Sequence, residues 1–126
     1  MAKEAVLETV TMSYGEDGIL RIRIEEGAAI GLLQAKLQFE TIRRLCGDAK
    51  ILVLIDARAH HTVTKEAQEY AAQNVGGRIA TAVINQNPFA QISLNLYLKI
   101  FKPVSPYRLF SEEDEAVAWL KEQTIA

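Results

Sequence analysis

The chain has one cysteine, three prolines and seven glycines in 126 residues. A lone cysteine cannot form an intramolecular disulfide, so the framework of a small secreted scaffold is excluded. The shortage of proline and glycine, with little serine, leaves no linker, collagen-like stretch or low-complexity tract. No apolar run reaches the roughly 20 residues that a membrane-spanning helix requires, and MAKEAVLETV lacks the apolar core of a signal peptide. A transmembrane segment is therefore not expected, and the expected location is the cytoplasm.

Positive charge is not in excess either. Fourteen Lys and Arg stand against sixteen Asp and Glu, for a net charge of −2. Basic residues do not cluster with aromatics between them, so nucleic acid is not an expected partner. Two adjacent histidines and one distant cysteine are too few for a zinc site, which needs three or four converging ligands. No cofactor or metal is expected. Gly76-Gly77-Arg78 precedes a strand, whereas a phosphate-cradling loop follows a strand and opens a helix. The glycine pair reads as a helix stop. No repeat indicates a solenoid.

What remains is the composition of an ordinary globular domain, 49% hydrophobic and 24% charged. At this length one domain, residues 1–126, buries roughly two-thirds of its unfolded surface. EAVLETVTMSY and ILRIRIE are β-rich runs joined by GEDG, a hairpin signal. In the second, Leu20, Ile22 and Ile24 alternate with Arg21, Arg23 and Glu25, as in a strand with one wet face, placed near a sheet edge.

Leu32, Ala35, Phe39, Ile42 and Cys46 recur at helical spacing from Gly31 to Cys46, with Leu33, Leu37 and Leu45 widening the stripe and Gly47 ending it. Cys46 is expected as a reduced, buried thiol. KILVLID is apolar on both faces, as in a central strand covered from both sides. A helix over 64–75, a buried strand RIATAVIN, a helix opened by Pro88, the strand YRLF and a final helix follow. Ser111 is expected to cap that last helix, answered by Asp114, with Trp119 in the core beside Ala116 and Leu120. The order β-β-α-β-α-β-α-β-α predicts a small α/β sandwich, mostly parallel with an antiparallel N-terminal hairpin.

This order, together with ILVLIDAR before a polar turn, NLYLKIFKPVSPYRLF and FSEEDEAVAWL, resembles the bacterial STAS/SEC14-type proteins of the SpoIIAA-like superfamily, which includes the anti-sigma-factor antagonists. The likeness runs from about Leu20 to Leu120. It implies the SpoIIAA-like fold and two kinds of function. STAS antagonists bind a kinase and are switched by phosphorylation of a serine at a helix start. SEC14-like proteins hold a lipid in an apolar cavity. The serine can be checked by position: an Asp-Ser pair eight and nine residues after the strand-closing polar residue corresponds, from Asp56, to Thr64 and Lys65. The phosphorylatable serine is absent. Thr62 and Thr64 are the nearby hydroxyls, and Thr64 reads more simply as an N-cap.

Two groups of residues carry the functional expectations. Asp56, Arg58, His60, His61, Thr62 and Thr64 lie at the carboxyl end of a parallel strand, where open α/β sheets place ligand sites. Asp56 with His60 or His61 as base would make an enzyme, but no nucleophile accompanies them, and the simpler reading is a turn. The second group is a helix. Phe89, Ile92, Leu94, Leu96, Tyr97, Leu98, Ile100 and Phe101 cover most of its circumference and leave only Gln91, Asn95 and Lys99 as a polar row. That is more apolar surface than one sheet face covers.

A non-catalytic, STAS-like association module is therefore expected, a homo-oligomer and specifically a dimer built on that helix, with an unidentified protein partner as a further candidate. The alternative is a SEC14-like binder of a lipid or other apolar molecule.

Overall fold

The chain runs β1 (Lys3–Val6), β2 (Val10–Tyr14), β3 (Ile19–Ile24), β4 (Ala28–Ile30), α1 (Leu32–Cys46), β5 (Ile51–Asp56), β6 (His61–Val63), α2 (Lys65–Gln73), β7 (Arg78–Ile84), α3 (Ala90–Phe101), β8 (Tyr107–Phe110) and α4 (Glu113–Glu122). These elements come from a computed structural model that describes residues 3–74 and 76–123. Six strands form the main sheet in the order β1-β2-β3-β5-β7-β8. β1, β2 and β3 are antiparallel, and the β3–β5, β5–β7 and β7–β8 pairs are parallel. The expected mostly parallel sheet with an N-terminal hairpin is what forms.

GEDG makes the β2–β3 hairpin turn. Gly18 takes the positive φ of 79°, and the Asp17 carboxylate accepts from the Ile19 N–H at 3.1 Å. The run EAVLETVTMSY, expected as one strand, folds back on itself between Val6 and Val10, where Leu7 N–H donates to Val10 O at 2.8 Å. The expected position of ILRIRI near an edge is also corrected: β3 is the third strand of the six, between β2 and β5. Alternation reports one uncovered face, and a strand inside a sheet can have one too. β4 and β6 form a separate two-stranded parallel sheet. Three residues are too few to show a period, so neither was foreseen.

Side-chain parity divides the core in two. Met12, Leu20, Ile22, Ile24 and Val53 pack beneath Ala35, Ile42 and Leu45 of α1 and Ala67 of α2. On the opposite face Leu52, Leu54, Ala80, Ala82 and Ile84 meet Ala116 and Leu120 of α4. KILVLID is thus covered from both sides, as its unbroken apolar run requires. Trp119 packs at the edge of the second core against Phe110, with ring centroids 5.7 Å apart.

Several helix details differ from expectation. Leu33 and Leu37 lie on the outer side of α1, Leu33 with 75% of its surface exposed, and Thr41 takes a buried position instead. Thr41 can do so because its hydroxyl donates to Leu37 O at 2.8 Å. Cys46 is half-buried rather than buried, and desolvation pushes its thiol pKa up. The N-cap of α4 is Glu112, not Ser111, and its side chain makes no capping bond. Glu113, Asp114 and Glu115 instead oppose the positive end of the helix dipole.

α2 ends at Gln73 with Asn74 as C-cap; the expected end at Val75 lies outside the described residues. Gly76 and Gly77 are therefore not the helix stop. Gly76 supplies a φ of 58°, and Gly77 packs where a Cβ would collide with the carbonyl oxygen of Ala49. Gly77 O also accepts from Ile51 N–H at 2.9 Å, so that close approach starts the β5–β7 pairing. Gly77→Ala is expected to destabilise the fold by about 2 kcal/mol or more, because backbone rather than a movable side chain must give way. Urea denaturation measures it; an unchanged midpoint would show that the β5–β7 junction relaxes freely.

Candidate functional site

Parallel pairing brings the carboxyl ends of β5 and β7 side by side, and the segments that leave them enclose an open cleft of about 620 Å³. His60, His61 and Thr62 line one side; Asn85, Gln86 and Pro88 line the other. β4 fixes the first wall through the Gly27 N–H bond to His60 O (2.7 Å) and the Thr64 N–H bond to Ile30 O (2.9 Å). The Asn85 amide ties the walls together by donating to Ala57 O at 2.9 Å.

Asp56 does not share this cleft with the histidines. On β5 it has the parity of Leu52 and Leu54, which face α4, and it lines a separate groove with Arg21, Arg23, Arg58 and Glu113. Arg58 occupies both carboxylate oxygens, Nε to Oδ1 at 2.9 Å and Nη2 to Oδ2 at 2.7 Å. The Arg58 backbone N–H adds a third bond to Oδ1 at 3.2 Å. The Arg58 side chain holds the Asp56 carboxyl below its ordinary pKa, with burial opposing it. A carboxylate so engaged is a poor general base.

The histidines are engaged locally. The exposed His60 ring lies 3.1 Å from Glu26 Oε1 through Nδ1, and the His60 backbone N–H donates to Glu26 Oε2 at 2.8 Å. These contacts hold Glu26 below the usual carboxylate range. His61 Nδ1 lies 2.7 Å from Ala59 O, which only accepts, so that nitrogen carries the hydrogen. Thr62 is exposed on β6. Thr64 is the N-cap of α2, its Oγ1 accepting from Ala67 N–H at 3.2 Å, as expected. Among the described residues no group of three or more His, Cys, Asp and Glu side chains could hold a metal ion, and no helix is long and apolar enough to cross a membrane.

α3 is the second site. Asn85 and Asn87 set its start, each accepting through Oδ1 from the N–H two residues on, at 2.8 Å. None of its residues is buried. Leu94 and Tyr97 point toward the sheet beside Val83 and Tyr107, while Leu98 and Phe101 are half-buried. Phe89, Ile92, Leu96 and Ile100, at spacings of three, four and four, form an outward row with 68%, 59%, 54% and 61% of their surfaces exposed. Among the described residues, neither α4 nor the Lys102 to Pro106 loop covers this row.

Beneath α3 lies a cleft whose lining sequence reasoning did not name. It has a volume of about 260 Å³ and is walled by Ile24, Ile55, Val63, Ala71, Val83 and Leu94, among others. Arg78, Tyr97 and Tyr107 also line it. Arg78 Nη1 donates to the Tyr107 hydroxyl at 3.3 Å, and the Tyr97 ring stands edge-on to Tyr107 with centroids 5.5 Å apart. Burial, then the neighbouring Tyr107, pushes the Tyr97 pKa well above its ordinary value. Arg78 and Tyr107 are 29 residues apart, so only the β7–β8 pairing reveals that they meet.

Comparison with known proteins adds a family and a fold. The family described as "Domain of unknown function (DUF7793)" matches residues 13–124. No curated protein matches. An uncharacterised protein of the DUF3478 family from Shewanella loihica PV-4, with a SpoIIAA-like fold, superposes with a TM-score of 0.64 over 95% of each chain at 13% identity. A protein of unknown function from Arthrobacter sp. FB24 is 29% identical over 87% of this chain and 97% of its own, with a TM-score of 0.34. The fold is thus SpoIIAA-like, as the sequence resemblance implied.

The Asp56–Arg58 pairing makes a signed prediction. A carboxyl with a lowered pKa in the folded state contributes stability that is fully present above its unfolded value, near pH 4, and is lost as the pH falls through the folded value. Asp56→Asn should therefore be less stable than the parent at neutral pH, and the gap should close on acidification below about pH 4. Urea midpoints of both proteins across that range measure it; a gap independent of pH would refute the ionic origin.

Proposed function

The chain belongs to the DUF7793 family and carries it on a SpoIIAA-like fold, and from that premise we propose that it is a non-catalytic regulatory module, a single cytoplasmic STAS-like domain that pairs with a second copy of itself through α3. The observation that carries this reading is the outward row Phe89, Ile92, Leu96 and Ile100. Water contact with a contiguous apolar row of this kind is unfavourable, and patches of this type mark interaction surfaces.

The occupant argued for is a second copy because of the charge pattern. Lys99 is the one charged residue between Ala90 and Phe101, so two such helices can approach without like-charge crowding, and interface centres are depleted in charge. The flanking Gln91 and Asn95 already bond each other at 2.9 Å and suit the polar rim of such a contact. An isologous pairing places the same row on both sides of a two-fold axis, and interdigitating i, i+4 ridges pack it.

A second reading, binding of an apolar small molecule, is favoured by the cleft beneath α3, whose walls are mainly aliphatic. The enzyme reading has no comparable support. Asp56 and the histidines line different grooves, and both Asp56 oxygens are held by Arg58.

Ile92→Asp combined with Leu96→Asp should convert a dimer to a monomer in native mass spectrometry or light scattering, with circular dichroism unchanged because both side chains already face outward. A parent protein that is itself a monomer, or a variant whose mass does not change, would sink the α3 interface.

A further inference from the structure

We propose that the cleft beneath α3 binds a medium-chain carboxylate, with the apolar tail along the sheet and the carboxylate on Arg78. This deepens the second of the two readings above and rests on it. The first support is composition. Val10, Ile22, Ile24, Ile55, Val83 and Leu94 line the cleft, and Arg78 is its one charged lining residue.

The second support is the state of Arg78. Its one side-chain hydrogen bond is to the neutral Tyr107 hydroxyl, and among the described residues no carboxylate pairs with it. A guanidinium has five donors in a planar fork that matches a carboxylate in two parallel bonds. Both phenols of the Tyr97–Tyr107 pair line the cleft beside it, and the Tyr107 hydroxyl, which accepts from Arg78, keeps its own O–H to donate. Gln38 and Gln68 are the other polar lining residues, and neither is charged.

The third support is size. A volume of about 260 Å³ corresponds to roughly nine heavy atoms at about 30 Å³ each, which admits a single tail of about nine carbons, with the carboxylate beyond it on Arg78, and excludes a two-chain lipid. Small residues make the space: α2 turns Ala67 and Ala71 toward it, where larger side chains would fill the gap between helix and sheet. Along β7, Arg78 and Val83 are about 16 Å apart at the rise of a strand, so charged and apolar parts of the cleft are well separated. The adjoining depression beyond Val83 and Leu94 contains His61, the other group that could attract an anion when protonated.

The test uses the full chain and decanoate, below its micelle concentration, followed by titration calorimetry at about pH 8, where an ordinary imidazole carries no charge. Decanol serves as the uncharged match. Decanoate is expected to bind at least tenfold tighter than decanol, and Arg78→Met to remove that preference while decanol binding stays. Leu94→Trp, which fills the cleft, should abolish binding of both.

Equal binding of decanoate and decanol by the parent protein would overturn the carboxylate assignment while leaving an apolar-ligand cleft. Binding of neither would overturn the proposal and the reading beneath it together. Unchanged decanoate binding in Leu94→Trp would place the site elsewhere and overturn it as well. The parent comparison needs no variant, so an Arg78→Met protein that failed to fold would not shield the proposal.

Discussion

Parallel pairing of β3, β5, β7 and β8 is the constraint on which the rest of this structure depends. Parallel neighbours cannot be joined by a tight turn, so each junction must carry the chain back over the sheet, and here α1, α2 and α3 do so in turn. All three lie on one face, and the other receives only α4. The strands therefore advance in one direction without a reversal of order, and their carboxyl ends gather the loops that hold Asp56, the histidines and Asn85. The same asymmetry leaves the antiparallel strands uncovered on the α4 side, where Arg21 and Arg23 keep β3 wet while it remains interior.

The position of α3 follows from that arrangement. It is the last of the three helices and lies over β7 and β8, and β8 is a four-residue edge strand. Such a support is too narrow to bury a helix that is apolar around most of its circumference. Leu94 and Tyr97 turn inward, and Phe89, Ile92, Leu96 and Ile100 are left outside. The small residues of α2 have the opposite consequence, since Ala67 and Ala71 do not fill the space that α3 roofs. An exposed ridge and an apolar cleft are thus two faces of one packing problem.

Much of this was readable before any coordinates. The hairpin signal in GEDG, the unbroken apolar run of KILVLID, the helical spacing around Ala35 and Ile42 and the capping position of Thr64 all act within a dozen residues, and each appears where expected. What misled was also local. Leu33 and Leu37 look like core because periodicity measures hydrophobicity rather than cover, and Ser111 looks like a cap although the helix begins one residue later. The β4–β6 pair was invisible because three-residue strands show no period. Asp56 closes β5 and the other candidate residues follow it along the chain, yet strand parity sends Asp56 to one face while β6 carries His61 on another element.

The sequence by itself determined the alternation of strands and helices, hence the parallel sheet, and the surplus of apolar surface on the helix from Phe89 to Phe101. These follow from period, turn chemistry and composition, which are properties of neighbouring residues. Only the tertiary structure decided which part of that surplus faces solvent, that Arg58 rather than a histidine holds Asp56, and that Arg78 meets Tyr107 across 29 residues in the wall of a cleft. Those depend on strand register and on which element covers which face, and both are set by packing between segments far apart in the chain.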